Sequence, residues 1–231
     1  MNKLIPFGLA AMLASTAVEA QELDITITNL THGSHFTPLL VAAHSGSTAL
    51  FEAGKAASAH LQAMAEGGDI SGLSADVDAA GGDKVANPAA GLLAPGASTQ
   101  FSLSTNDGND YLSVVAMVLP TNDGFVGVDR LAIPTEPGSY TYSMNAWDAG
   151  TEANDEIVNG MGAPGMAGIP ADPLGKNGTN ATGVASTDAN TLIHIHPGVI
   201  GDTDPNGGPS DLDSRIHRWL NPVASLTITV K

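Results

Sequence analysis

Leu23-Asp-Ile-Thr-Ile-Thr28, near the start of the chain, and Leu226-Thr-Ile-Thr-Val230, at its end, share one pattern: apolar and polar residues alternate without a break. A period of two turns successive side chains to opposite faces, as a half-buried strand requires. Between these two stretches lie further strand candidates at 98–103, 111–119, 125–131, 138–147 and 190–196, separated by Gly, Pro, Asn and Asp at turn-like intervals. One segment reads as a helix. From Thr48 to Glu66, Leu50, Phe51, Ala57, Leu61 and Met64 recur at three- and four-residue steps, with Ser47 as a cap and Gly67-Gly68 as a stop. Gly54 within it weakens the first turn by about 1 kcal/mol of propensity. Many short strands, one short helix and turn-rich spacing predict an all-β, antiparallel β-sandwich with long loops.

Composition narrows the function. The 231 residues carry 8 Lys+Arg against 24 Asp+Glu, a formal net charge of −16. A phosphate backbone needs a basic stripe, so nucleic acid is excluded as a partner, and cations suit the chain better. Residues 1–20 read as a signal peptide: Lys3 leads an uncharged, mostly apolar stretch to Val18, and Val18-Glu-Ala20 precedes the cleavage point. Its removal takes Lys3 and Glu19, one charge of each sign. Residues 21–231 then form one domain with no transmembrane segment, expected in a periplasm or outside the cell. There is no cysteine, which removes thiol chemistry and every Cys-based metal site; a chain of roughly 200 residues closes a core without disulfides. Residues 153–189, rich in Gly, Ala, Asn and Pro and without a period, read as a flexible loop insertion.

Two acidic stretches stand at predicted strand ends. In Pro120-Thr-Asn-Asp-Gly-Phe-Val-Gly-Val-Asp129, Asp123 falls in a tight turn. In Asn145-Ala-Trp-Asp-Ala-Gly-Thr-Glu152, Asp148 and Glu152 flank Gly150, which lets the backbone fold back so that both carboxylates converge. Calcium takes six to eight oxygen ligands, with carboxylates completed by carbonyls and water. Two acidic loops at one end of a sandwich supply such a set. The same acids also suit plain turn formation and solvated charge.

These stretches resemble the two strongest motifs of the spondin amino-terminal domain, found in animal matrix proteins such as F-spondin and mindin and in secreted bacterial proteins. Further agreement lies at Ile25-Thr-Ile-Thr-Asn-Leu-Thr31, Phe36-Thr-Pro38 with Ala43-His44, Leu50-Phe-Glu-Ala-Gly54, Ala57-Ser58, Ala65-Glu-Gly67 and Asn221-Pro-Val-Ala224. The resemblance implies an eight-stranded antiparallel sandwich holding calcium in acidic loops at one end. Carried over, the ion's ligands are Asp123, Asp148 and Glu152, with Asn122 and Asp129 as further neighbours. Family members often have an aromatic residue after the turn aspartate; here it is Gly124. Cysteines and thrombospondin-type repeats of animal members are missing, so integrin or matrix binding does not carry over. What the resemblance implies is a calcium-binding module with a binding or structural, adhesion-like role toward an unidentified extracellular or envelope ligand, whether protein, glycan or lipid surface.

A competing signal comes from seven histidines. His194-Ile-His196 on a strand puts both imidazoles on one face, about 7 Å apart. With His44 they would make a periplasmic copper or zinc site. No nucleophile elbow, zinc-protease helix or phosphate-cradling loop is present. Ten aromatics are few for a glycan cleft around an Asp148/Glu152 pair. The chain therefore reads as a non-enzyme.

Overall fold

A computed structural model describes residues 20–175 and 177–231; apart from Ala20, the expected signal peptide lies outside the described residues. The two alternating stretches that bracket the chain are neighbours. β1 (Glu22–Asn29) pairs antiparallel with β10 (Ala224–Val230), Leu23 opposite Val230 and Asn29 opposite Ala224. The other strands in chain order are β2 (His35–Phe36), β3 (Leu40–His44), β4 (Asp83–Ala86), β5 (Ser98–Ser104), β6 (Tyr111–Leu119), β7 (Gly124–Ala132), β8 (Gly138–Asp148) and β9 (His194–Ile195). Eight of them form one hydrogen-bonded path, β4-β3-β6-β7-β8-β10-β1-β5, while β2 adds to β6 and β9 to β8. Every pairing between these strands is antiparallel.

The all-β, antiparallel expectation holds, but two separate sheets do not form, and ten strands replace eight. The reason is β8. Its 11 residues are long enough to serve two neighbourhoods: 138–144 pair with β10, and 145–148 pair with β7. One strand thus carries the ladder round the corner, and β9 takes the edge that β10 leaves free. The path ends then approach each other. Asp83 on β4 accepts from the backbone N–H of Asn106 (2.6 Å), just past β5, and from Asn109 Nδ2 (2.8 Å), so the sheet nearly closes into a barrel.

Alternation builds the interior. Leu23, Ile25 and Ile27 of β1 meet Ala224, Leu226, Ile228 and Val230 of β10 in the barrel core. β6 lacks alternation because both its faces are covered. Leu112, Val114, Ala116 and Val118 point into the barrel, while Val115, Met117 and Leu119 lie in a second core under the helices. Each such side chain contributes about 1.5–3 kcal/mol on full burial.

The helix is shorter than its sequence pattern suggests, and a second follows it. α1 spans Ala59–Gly67, capped by Ser58, whose Oγ accepts from Leu61 N (3.1 Å), and stopped by Gly68 with φ +73°. Residues 48–58 are not helical. Gly54 has φ +79°, and Phe51 plugs the outer core, its ring 5.0 Å from Phe125 and 5.3 Å from Trp147. The apolar spacing there reflects a turn that covers a core. α2 (Ser71–Ala79) buries only Leu73 and Val77, too thin a stripe to reveal a helix in the sequence. Of the strand expected over 190–196, only His194–Ile195 pairs.

Asp83 holds the seam between the path ends. Asp83→Ala leaves the donors of Asn106 and Asn109 without it, at a cost of roughly 1–3 kcal/mol. Chemical denaturation measures that loss, and hydrogen exchange should rise first in β4 and β5.

Candidate metal centre

The β6–β7 turn and the end of β8 come together because Gly124 pairs with Asp148. Thr121 closes the turn: its Oγ1 donates to Val118 O (2.6 Å) and accepts from Gly124 N (3.0 Å). Asp123 and Asp148 are thereby set side by side, both 0% exposed. After β8 the chain reverses at Gly150, whose φ of +70° suits glycine. A Cβ there would lie 2.5 Å from the carbonyl carbon of Thr191.

The reversed loop is tied to the turn through one oxygen. Asp123 Oδ2 accepts from Thr151 N (2.7 Å), Thr151 Oγ1 (3.1 Å) and Glu152 N (3.1 Å). Asp148 accepts from Gly150 N at Oδ1 (2.8 Å) and from Asn154 Nδ2 at Oδ2 (2.7 Å). Glu152 Oε2 accepts from Gly168 N (3.0 Å), with a longer contact from Asn122 Nδ2 (3.4 Å). Two carboxylate oxygens are buried without a partner among the described residues, Asp123 Oδ1 and Glu152 Oε1. Among the described residues no Lys or Arg pairs with any of the three acids.

Burial without cationic relief favours the protonated acids. Burial, with the charge of Asp148 behind it, pushes Asp123 up to about 7 against the Thr151 and Glu152 amides. Burial likewise pushes Glu152 up to about 7, opposed by the Gly168 amide and reinforced by Glu66 and Asp123. Asp148 is raised by burial, with Asn154, Gly150 and His194 opposing. Acceptor oxygens that lack donors inside a cluster of like charge suit a hard, oxygen-seeking cation, and these residues fit calcium on that ground.

The other sequence candidates divide. Asn122 stands beside the acids but is engaged, donating to Asp155 Oδ1 (2.8 Å) and accepting from Glu156 N (3.2 Å). Asp129 is elsewhere, bonded to Leu50 N, Ser113 Oγ and Arg130 Nε. The three histidines are not brought together. His44 pairs opposite Tyr111 at the far end of β6, with its Nε2 on Ser113 Oγ (2.8 Å). His196 is buried against Trp219, ring centroids 5.0 Å apart, and burial pushes it down to about 4, so it is neutral. His194 lies beside Asp148 instead, Nδ1 3.8 Å from Oδ1. With Asp188 these two make a group whose donor atoms all lie within 4.8 Å of one another, a group that includes neither Asp123 nor Glu152. Asp188 and the buried Glu66, whose Oε2 accepts from Gly165 N (2.6 Å), gave no sign in the sequence. Asp188 lies in an aperiodic stretch, and Glu66 resembles any polar residue ending a helix.

Gly124 is explained by its surroundings. A Cβ there would meet Thr121 Oγ1 at 2.6 Å and His196 Cδ2 at 2.9 Å. The imidazole of His196 and the Thr121 side chain thus crowd any side chain at this position.

A family model described as Spondin_N matches residues 28–158. A comparison with curated proteins returns no match.

With divalent cations chelated, the raised acids set a pH dependence. Asp123 and Glu152 keep their protons to about 7 when folded, against ordinary values of 3.8 and 4.5 for the free groups. Between those limits the folded chain binds more protons than the unfolded one, so their contribution is fully present at the acid end and is lost as pH rises through about 7. Urea denaturation of chelated protein at about pH 5 and about pH 8 should show the higher stability at the lower pH, and Asp123→Asn should flatten the difference.

Proposed function

The chain belongs to the spondin N-terminal domain family, and from that premise we propose that it is a secreted or periplasmic calcium-binding module with a binding or structural, adhesion-like role. The observation that carries the reading is the pair of buried, unpartnered oxygens, Asp123 Oδ1 and Glu152 Oε1, among acids that no Lys or Arg of the described residues pairs with. Calcium would be held by Asp123, Asp148 and Glu152, and when bound it supplies positive charge where the chain supplies only negative.

The chain's own residues prepare the site. Asp123 Oδ2 fixes the Thr151–Glu152 backbone, Asn154 orients Asp148, and the Gly168 amide orients Glu152. Neutralising the acids would draw the 120–124 turn and the 149–156 loop into one firm surface. Leu192 and Ile195, 42% and 46% exposed, flank His194 beside that surface and offer apolar contact to a protein, glycan or lipid partner. No helix among the described residues is long and apolar enough to cross a membrane. We read 21–231 as a single domain. β10 and β9 lie beyond the matched 28–158, yet β10 completes the ladder through β1 and β8.

One oxygen of Asp123 and one of Glu152, and both of Asp148, are held by amide and hydroxyl donors, which supports reading the site as one that binds an ion in a module that is not an enzyme. Titration calorimetry and thermal melting test it. At a calcium concentration of about 100 Kd, stability should rise by about 2.7 kcal/mol with a matching increase in Tm. Asp148→Ala should lose both binding and the increase. No heat of binding and no change in Tm would remove calcium from the site.

A further inference from the structure

On the outer face of β7 and β8, beside the 51–53 turn, lies a groove of about 360 Å³. That is within the roughly 300–1,000 Å³ of small-molecule sites. A glycine opens it. Gly127 pairs opposite Asn145, so the Asn145 side chain meets no side chain across the ladder, and the space left there belongs to the groove. Ser143, Asn145 and Trp147 alternate along β8, share this face and line the groove. Trp147 is pinned in place: its Nε1 donates to Gly127 O (3.0 Å), and its ring centroid lies 5.3 Å from that of Phe51. It is nonetheless only partly buried.

The opposite wall is made by a distortion in β7. Val128 pairs with Val114 and Leu131 with Leu112, three steps on β7 against two on β6, so β7 carries one extra residue. Arg130 sits in that bulge at φ +50°, a left-handed conformation that side chains rarely adopt. The bulge is held from within the sheet. Ser113, buried on β6, accepts from Arg130 N (3.0 Å) and donates to Asp129 Oδ1 (3.0 Å). Bulges re-aim side chains, and this one places Arg130 on the groove. Its Nε donates to Asp129 Oδ2 (2.7 Å), and its Nη2 lies 3.8 Å from Glu52 Oε2.

The groove keeps polar groups in hand. Among the described residues the Asn145 amide and the Ser143 hydroxyl have no hydrogen-bond partner in the chain, and Arg130 commits only Nε of its side chain. The amide and the hydroxyl can each donate and accept, the guanidinium donates, and Glu52 accepts. A pyranose ring matches that mixture, with C–H groups on its face and, on its rim, hydroxyls that both donate and accept. Charge narrows the ligand further. An anion would meet the Asp129 and Glu52 carboxylates, and an ammonium would meet a guanidinium already set between them.

We propose that this groove binds a neutral saccharide. Trp147 supplies the surface on which the sugar ring stacks, and Asn145, Ser143, Glu52 and Arg130 bond its hydroxyls. A site carried on paired strands is shaped before its ligand arrives. The groove shares no side chain with the calcium position, so the proposal stands without that reading.

The test uses the full chain. Neutral gluco-, galacto- and manno-oligosaccharides are the probes, with oligogalacturonate and chitosan oligomers as charged controls. Calorimetry and tryptophan fluorescence read binding, since Trp147 is one of two tryptophans and the other, Trp219, is 9% exposed. At least one neutral probe should bind and change the emission, in calcium and equally after chelation. Asn145→Ala should weaken it by about tenfold, the worth of one or two hydrogen bonds, with Tm unchanged. Trp147→Phe should weaken it as well and abolish the emission change. No binding of any neutral probe at about 10 mM, where a Kd of about 1 mM would be near saturation, overturns the proposal. So does tighter binding of either charged control, or binding that both variants leave unchanged. Sugar binding lost on chelation but indifferent to Asn145→Ala belongs to the acids and overturns it too. Neutral sugar bound through Asn145 by a chain that ignores calcium sustains this proposal while the calcium reading falls.

Discussion

Two carboxylates facing each other in a dry turn repel, and the end of this barrel is built to hold them there. The pairing of Gly124 with Asp148 fixes Asp123 and Asp148 as neighbours before any loop is considered. Asp123 then recruits the Thr151 and Glu152 amides with one oxygen and leaves the other bare. The fold supplies the force that keeps them close. β6 is covered by apolar side chains on both faces, β7 pairs along one edge of it and β8 along β7, so separating the acids means opening a ladder rooted in the core. Local repulsion is held in check by global packing.

Barrel and site depend on the same strand. β8 turns the sheet from β10 to β7 along its length and delivers Asp148 as its last residue. A shorter strand would leave two sheets and would also withdraw the Asp148 carboxylate from beside Asp123. The architecture that differs from a plain sandwich is therefore also the one that places the chemistry.

Much of this was legible in the sequence where period and burial agree. β1 and β10 alternate because one face of each meets the core, and their alternation marks them as strands. β6 was legible as an apolar run broken only by Ser113. The segment 48–58 misled because Leu50 and Phe51 cover a core from a turn, so helical spacing arose without a helix. α2 stayed hidden behind only two buried side chains. At the site, Asp123, Asp148 and Glu152 stood out because Gly150 and the strand ends gave them local context. Asp188 had none, since it reaches Asp148 through Asn154, across an aperiodic segment that no local pattern links to β8. The imidazoles of His194 and His196 shared a face on paper, but pairing stops at Ile195, and His196 packs against Trp219 while His194 faces the acids.

Net charge alone does not tell the acids apart; the count of donors to each does. Asp211 is also partly buried, but the amides of Val158, Thr179 and Ala181 and the Thr179 hydroxyl all donate to it. Burial would raise its pKa, and those bonds outweigh it and hold it below the ordinary value. Glu156, buried as well, accepts from the Ile200 and Gly201 amides and the Ser210 hydroxyl, so both of its oxygens are answered within the chain. These acids organise the long loops by themselves. Asp123 and Glu152 each keep one oxygen that no N–H or O–H reaches, and both are pushed up to about 7. Of the 24 acidic residues behind the −16, an acid whose field is answered by backbone donors is structural. One that is buried and unanswered, as Asp123 and Glu152 each are at one oxygen among the described residues, is what the calcium proposal rests on.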